Sequence, residues 1–129
     1  MNQTLNKKLI FYFLIILAIF TLDRISKIYV ISIAETTGTV DIFINNFLNI
    51  ILVWNSGIGF GLFQFDETFI YNAITILVFI INLIIIYFLL NSESFHKILF
   101  AMILGGSFGN LYDRIYYSAV PDFIDLNYN

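Results

Sequence analysis

"TFIYNAITILVFIINLIIIYFLL", Thr68 to Leu90, carries no charged residue. It is bounded by Asp66 and Glu67 on one side and by "NSESFHK" on the other. An uncharged apolar run of that length reads as a transmembrane helix. The rest of the chain agrees with that reading: of 129 residues, 60% are hydrophobic and only 12% charged, against roughly 25% charged in soluble domains. The absence of cysteine excludes disulfides, zinc-thiolate sites and a thiol nucleophile. A net charge of −3 with no basic run gives no electrostatic footprint for nucleic acid. Pro121 is the sole proline and no internal repeat or low-complexity tract occurs, so residues 1–129 form one domain.

Upstream, Leu9 to Leu22 is uncharged but spans only roughly 21 Å as a helix, short of a hydrocarbon core of about 30 Å. The helix must therefore continue through "DRISKIYVISIA", where Asp23 and Lys27 lie four apart and so share a face on which acid and base can pair. The expected first helix is about 9–31. A cleaved signal peptide is the competing reading of Lys7, Lys8 and the apolar run, but such a peptide does not carry Asp-Arg and Lys ahead of its cleavage site. Downstream, a third helix is expected over about 97–114, with Gly105 and Gly109 as a small-xxx-small pair that lets another helix approach closely. Between the first two helices, alternation around Phe47 to Trp54 predicts a short hairpin or amphipathic patch at the membrane surface. The fold class is thus an all-α membrane protein with three transmembrane helices, 9–31, 68–90 and 97–114, and a small β-like patch.

Lys7, Lys8 and Lys97 share one side of this arrangement, while eight of nine acids, all but Glu93, lie on or near the other. The positive-inside rule places the N-terminus in the cytoplasm. On the third helix Asn110 shares a face with Gly106, Asp113 and Arg114 by spacing. Asp113 beside Arg114 is explained by interfacial pairing alone. Asp122 is harder to explain that way, since it follows a proline in the apolar "AVPDFI" with no base nearby in sequence. An acid in such a setting should hold its proton more tightly than usual, which suits exchange near neutral pH.

Taken together, "TLDRISKIYV", "WNSGIGFGLF", "LGGSFGNLYDRIYY" and "AVPDFIDL" resemble the lipoprotein signal peptidases, or signal peptidase II, in order and spacing. The resemblance implies a bacterial inner-membrane, multi-pass aspartyl protease with its active site at the outer face. It would remove signal peptides from diacylglyceryl-modified prolipoproteins before the lipid-modified cysteine, with prolipoprotein and membrane lipid as its partners. By position, Asp122 matches the family's first catalytic aspartate, and Asn110, Asp113 and Arg114 match the polar cluster that supports the site. Asn55 matches an asparagine of the outer-side loop lying over the substrate, and Gly57, Gly59, Phe60 and Gly61 match the flexible turn after it. Asp23 and Lys27 match a charged pair of structural character. Neither a metal nor an organic cofactor is implied, and His96 falls on the cytoplasmic side.

In the reaction so implied, a water is activated between two carboxyl groups, one ionised and one protonated. The family carries its second aspartate in a Phe-Asn-x-Ala-Asp motif at the head of a fourth helix, and neither is found in residues 1–129, so a C-terminally incomplete domain is expected. Asp125, three positions on, would share a helical face with Asp122, and Asp113 is also nearby; either is a substitute partner to be tested. Pro121 departs from the apolar residue usual at its position. Three other readings stand beside this one: an inactive fragment, a small membrane binding or assembly protein, and a proton or ion pathway through Asp23, Asp113 and Asp122.

Overall fold

The computed structural model describes residues 3–57 and 68–127. Helix α1 spans Gln3–Thr37, followed by strands β1, Asp41–Asn45, and β2, Leu48–Asn55. Helices α2, Thr68–Asn91, and α3, Ser94–Tyr117, come next, and strand β3, Val120–Leu126, ends the described chain. Gly59, Phe60 and Gly61 of the turn singled out above lie outside the described residues.

α1 has 35 residues and so is about 52 Å long, well beyond the expected 9–31. Nothing between its ends breaks a helix. It stops at Gly38, whose φ of +80° is left-handed and whose N–H reaches the carbonyl of Ala34 at 2.8 Å. Along it the hydroxyls of Thr21, Ser26 and Thr37 donate to carbonyls one turn earlier, which satisfies these groups within the helix itself. α2 and α3 are joined by a turn at Ser92–Glu93, where the Lys97 ammonium donates to the carbonyl of Leu90 at 3.1 Å and so meets the negative end of α2. α3 overruns its expected limits at both ends and is terminated by Ser118 in the left-handed conformation. Among the described residues two helices, α1 and α2, are long and apolar enough to cross a membrane.

α3 is the central helix, packed on α1 and on α2. Apolar side chains are as content in lipid as against each other, so close packing and polar contacts must hold such helices together. Gly105 supplies the first: a Cβ there would stand 2.6 Å from the Cβ of Ile19 and 2.8 Å from the carbonyl oxygen of Ile16, so only hydrogen lets α1 come this near. Gly109, one turn on, faces Asp23 in the same way, with a Cβ only 2.7 Å from its carboxyl carbon. Gly106 meets nothing within 4 Å and marks the open side. The small-xxx-small pair is thus the α1–α3 contact. Below it Tyr12, Leu89, Ala101 and Leu104 form the apolar core of all three helices.

The three strands form an antiparallel sheet in the order β1-β2-β3. The β1–β2 hairpin falls where alternation placed it, its turn fastened by the Phe47 N–H donating to the Asn45 side chain at 2.8 Å. The third strand corrects the all-α expectation: "VPDFIDL" pairs with β2, Val53 opposite Asp122 and Asn55 opposite Val120. Ser118 turns the chain back from α3, and Pro121 is tolerated because β3 is an edge strand that need not donate on its outer side. Trp54 on β2 lies 5.4 Å, ring to ring, from Tyr117 at the end of α3, which seats the sheet on that end of the bundle.

Candidate active site

Two polar groups meet where the sheet sits on α1 and α3. The first joins the two helices. The Lys27 ammonium has three donors and they reach Asp113 at 2.6 Å, Asn110 at 2.8 Å and Asp23 at 2.9 Å. Arg24 forms an ion pair with Asp113 at 2.5 Å and donates to Asp23 at 3.0 Å, and its guanidinium lies 4.8 Å over the Tyr112 ring. Two cations and two carboxylates sum to zero, as a dry interface requires. Asp113 is fully buried within them. Each four-residue step along α1 matches one along α3: Ile19 with Gly105, Asp23 with Gly109, Lys27 with Asp113. The helices therefore run parallel here, and the glycine that admits Asp23 sits one turn from the carboxylate that Lys27 binds.

The second group leads to Asp122. The Arg114 guanidinium donates to the carbonyl of Gly57, the Gly57 N–H donates to the Asn55 side-chain oxygen at 2.9 Å, and the Asn55 amide donates to the Asp122 carboxylate at 3.0 Å. Asn55 is buried, and with its oxygen committed to Gly57 only its NH₂ can face the acid. Tyr71 holds the other end, donating from its hydroxyl to the Arg114 carbonyl at 2.7 Å. Arg114 also borders a separate cavity of about 500 Å³ with Tyr71, Asn72 and Thr75.

Several expectations change. Asp113 and Arg114 do not pair with each other: successive residues diverge by about 100° on a helix, so Asp113 turns to α1 while Arg114 turns to Gly57 and Tyr71. Asn55 is the last residue of β2, beside Asp122, where a loop position was expected. Asp122 itself is exposed on β3, not enclosed by its apolar neighbours. Asp125 lies on a strand, where residues three apart face opposite ways, so it does not share a face with Asp122. Asp23 and Lys27 do form an ion pair, but as half of a larger cluster whose other cation, Arg24, was not among the expected site residues. Nor was Tyr71, and the only hint of it was a hydroxyl in an apolar span.

A cavity of about 470 Å³ brings the two groups together: Asp122 and Phe123 of β3 border it with Asp23, Lys27 and Asn110. It sets the exposed Asp122 carboxyl next to a charge-neutral ionic cluster. Asp113 is fully buried with both oxygens on cations, so it is not a second acid for Asp122.

The family model for signal peptidase (SPase) II matches residues 15–129. A lipoprotein signal peptidase of Pelagibacter ubique is 48% identical over 128 residues, covering 99% of this chain and 77% of that protein. The lipoprotein signal peptidase of Wigglesworthia glossinidia brevipalpis is 36% identical, covering 88% and 73%. A solved bacterial membrane enzyme, determined by the in meso method at 2.3 Å, superposes with a TM-score of 0.71 at 28% identity, over 90% of this chain and 70% of its own.

Proposed function

We propose that this chain, which belongs to the signal peptidase II family of proteases, cleaves prolipoproteins through Asp122 at the outer boundary of the membrane. The family removes signal peptides from prolipoproteins. α3 crosses the bilayer beside α1 and α2, with the N-terminus in the cytoplasm. The sheet end faces outward, where the scissile bond of a substrate anchored by its lipid is presented.

The observation that carries this reading is the Asp122 carboxylate, held by buried Asn55 at the edge of a cavity that adjoins the apolar helices. Asp122 is the carboxyl that takes a proton from the attacking water. Asn55 leaves one of its oxygens available while fixing the other, and the Arg114–Gly57–Asn55 chain keeps that geometry from relaxing. The partner carboxyl of the family's reaction belongs to the Phe-Asn-x-Ala-Asp motif, which has no counterpart in residues 1–129. Neither Asp113 nor Asp125 is placed to substitute for it. A proton pathway through Asp23, Asp113 and Asp122 is disfavoured, because the first two carboxylates are held in ion pairs with Lys27 and Arg24.

The test uses the protein as its gene encodes it, purified in nanodiscs and given a diacylglyceryl-modified prolipoprotein. Asp122→Asn keeps the side-chain shape but not the base, and should lower the cleavage rate about 10²–10⁴-fold. Full activity in that variant would overturn the assignment.

A further inference from the structure

At the end of the bundle away from the sheet, where α1 begins and the α2–α3 turn closes, lies a cavity of about 340 Å³ that the cleavage chemistry does not use. It is bordered by Lys8, Leu9 and Tyr12 of α1, by Glu93 of the turn, and by Ser94 and Lys97 of α3. The register of the two helices brings these residues together. Lys27 meets Asp113 86 positions on, and the same separation carried back along α1 sets Tyr12 beside Ile98 and Lys8 beside Ser94, the first residue of α3.

The polar groups here are short of protein partners. Lys8 makes no hydrogen bond or ion pair among the described residues, and Glu93 pairs with neither lysine. Lys97 spends one of its three donors on the carbonyl of Leu90 at 3.1 Å and keeps two. Two ammonium groups against one carboxylate make the lining net positive, in a chain whose own net charge is −3. Tyr12 is the second, independent sign of a ligand: only 7% of it is exposed, yet among the described residues its hydroxyl makes no hydrogen bond. A buried phenol normally has a partner. The order of these groups describes what fits. Lys8 and Tyr12 lie four apart on one face of α1, so Tyr12 stands roughly 6 Å further into the bundle than Lys8. A phospholipid presents its groups in that sequence: a phosphate for the lysines, then an ester carbonyl for the Tyr12 hydroxyl, then acyl chains for the exposed apolar flank of Leu9 and Phe13. A free phosphate answers only the first.

We propose that this cavity binds the headgroup of an anionic phospholipid, its phosphate held by Lys8 and Lys97 and one ester carbonyl accepting from Tyr12. Basic pockets between helices at the cytoplasmic side suit such headgroups; placing the lipid in the inner leaflet rests on the reading of the N-terminus as cytoplasmic. The lipid joins α1 to α3 at the end of their seam where, among the described residues, no hydrogen bond or ion pair does so. At the other end Lys27 and Arg24 supply that link.

The test uses the protein as its gene encodes it, in mild detergent, with equal amounts of phosphatidylglycerol and phosphatidylcholine of the same acyl chains; native mass spectrometry counts the lipid retained. Phosphatidylglycerol should be retained about tenfold over phosphatidylcholine, since two cations are each worth about fivefold against one retained acid. Lys8→Gln and Lys97→Gln should each lower its retention about fivefold, and Tyr12→Phe, which keeps the ring, should lower it severalfold. Lys7→Gln removes a charge at the same end of α1 but off the cavity, and should leave retention unchanged. Equal retention of the two lipids would overturn the proposal. So would a loss in Lys7→Gln as large as in Lys8→Gln, which makes the attraction a diffuse one, or displacement of the lipid by millimolar inorganic phosphate, which makes free phosphate the occupant. The comparison of lipids on unaltered protein decides the matter even if a variant fails to fold. A micelle has no sides, so the result is independent of orientation, which labelling of Lys7 by an impermeant amine reagent in inverted vesicles against intact cells reads separately.

Discussion

Replacing Lys27 by Met keeps the length of the side chain and removes two hydrogen bonds, to Asp113 at 2.6 Å and Asn110 at 2.8 Å, and an ion pair with Asp23 at 2.9 Å. The cluster then holds two carboxylates and one cation, and Asp113 has no access to water. Breaking a buried ion pair by deleting one partner costs about 3–5 kcal/mol, because a charge is stranded where solvent cannot reach it. Arg24 stays 2.5 Å from Asp113 and 3.0 Å from Asp23, which moderates the loss and places it near the lower figure, about 3 kcal/mol. That is a factor of roughly 150 in the folding equilibrium. Trp54 is the sole tryptophan and packs on Tyr117 at the junction of sheet and bundle, so its fluorescence during titration of mixed micelles with denaturing detergent reports the loss directly. The second arm is the double variant Lys27→Met/Asp113→Asn, which again pairs one cation with one carboxylate. It should be more stable than Lys27→Met alone. A cost below about 1 kcal/mol for the single change, the scale of an exposed surface pair, would refute the argument, as would a double variant less stable than the single.

The glycines of α3 should separate by position. Gly105→Ala and Gly109→Ala should each lose about 1–3 kcal/mol in the same titration, since the added carbon meets Ile19 and the Ile16 backbone in one case and Asp23 in the other. Gly106→Ala, facing open space, should be neutral or gain up to about 1 kcal/mol from helix propensity. Asn82 is buried in the middle of α2 with neither side-chain polar atom hydrogen-bonded, so Asn82→Leu should leave stability unchanged or raise it by about 1–2 kcal/mol. Asn55→Ala frees the Asp122 carboxylate without removing it; cleavage should slow about 10–100-fold in kcat with little change in KM, less than Asp122→Asn.

Local signals were enough for the helices and for one hairpin. Uncharged runs report membrane spans because lipid penalises charge at every turn, but the stop of α1 at Gly38, where the chain takes a left-handed φ, lay beyond the expected end near residue 31. The spacing of Asp23 and Lys27, and of Gly105 and Gly109, was also legible, because positions four apart share a helix face whatever surrounds them. The motif order in "LGGSFGNLYDRIYY" and "AVPDFIDL" points to the family without any knowledge of the fold.

What periodicity cannot say is which face meets which. Asp113 and Arg114 are neighbours in sequence, yet the packing of α3 between α1 and α2 sends one to Lys27, 86 positions away, and the other to Gly57, 57 positions away. The third strand was hidden for a similar reason. A short apolar segment becomes a strand only when an edge is offered to it, and β2 offers one because Ser118 turns the chain back at the end of α3. Only that pairing sets Asn55 against Asp122, 67 residues apart, and only the close approach permitted at Gly105 and Gly109 brings their cavity onto the ionic cluster of α1. The sequence alone determined the kinds of groups that gather at one end of the helices, through local spacing and the cost of charge in lipid; long-range packing decided which of them touch.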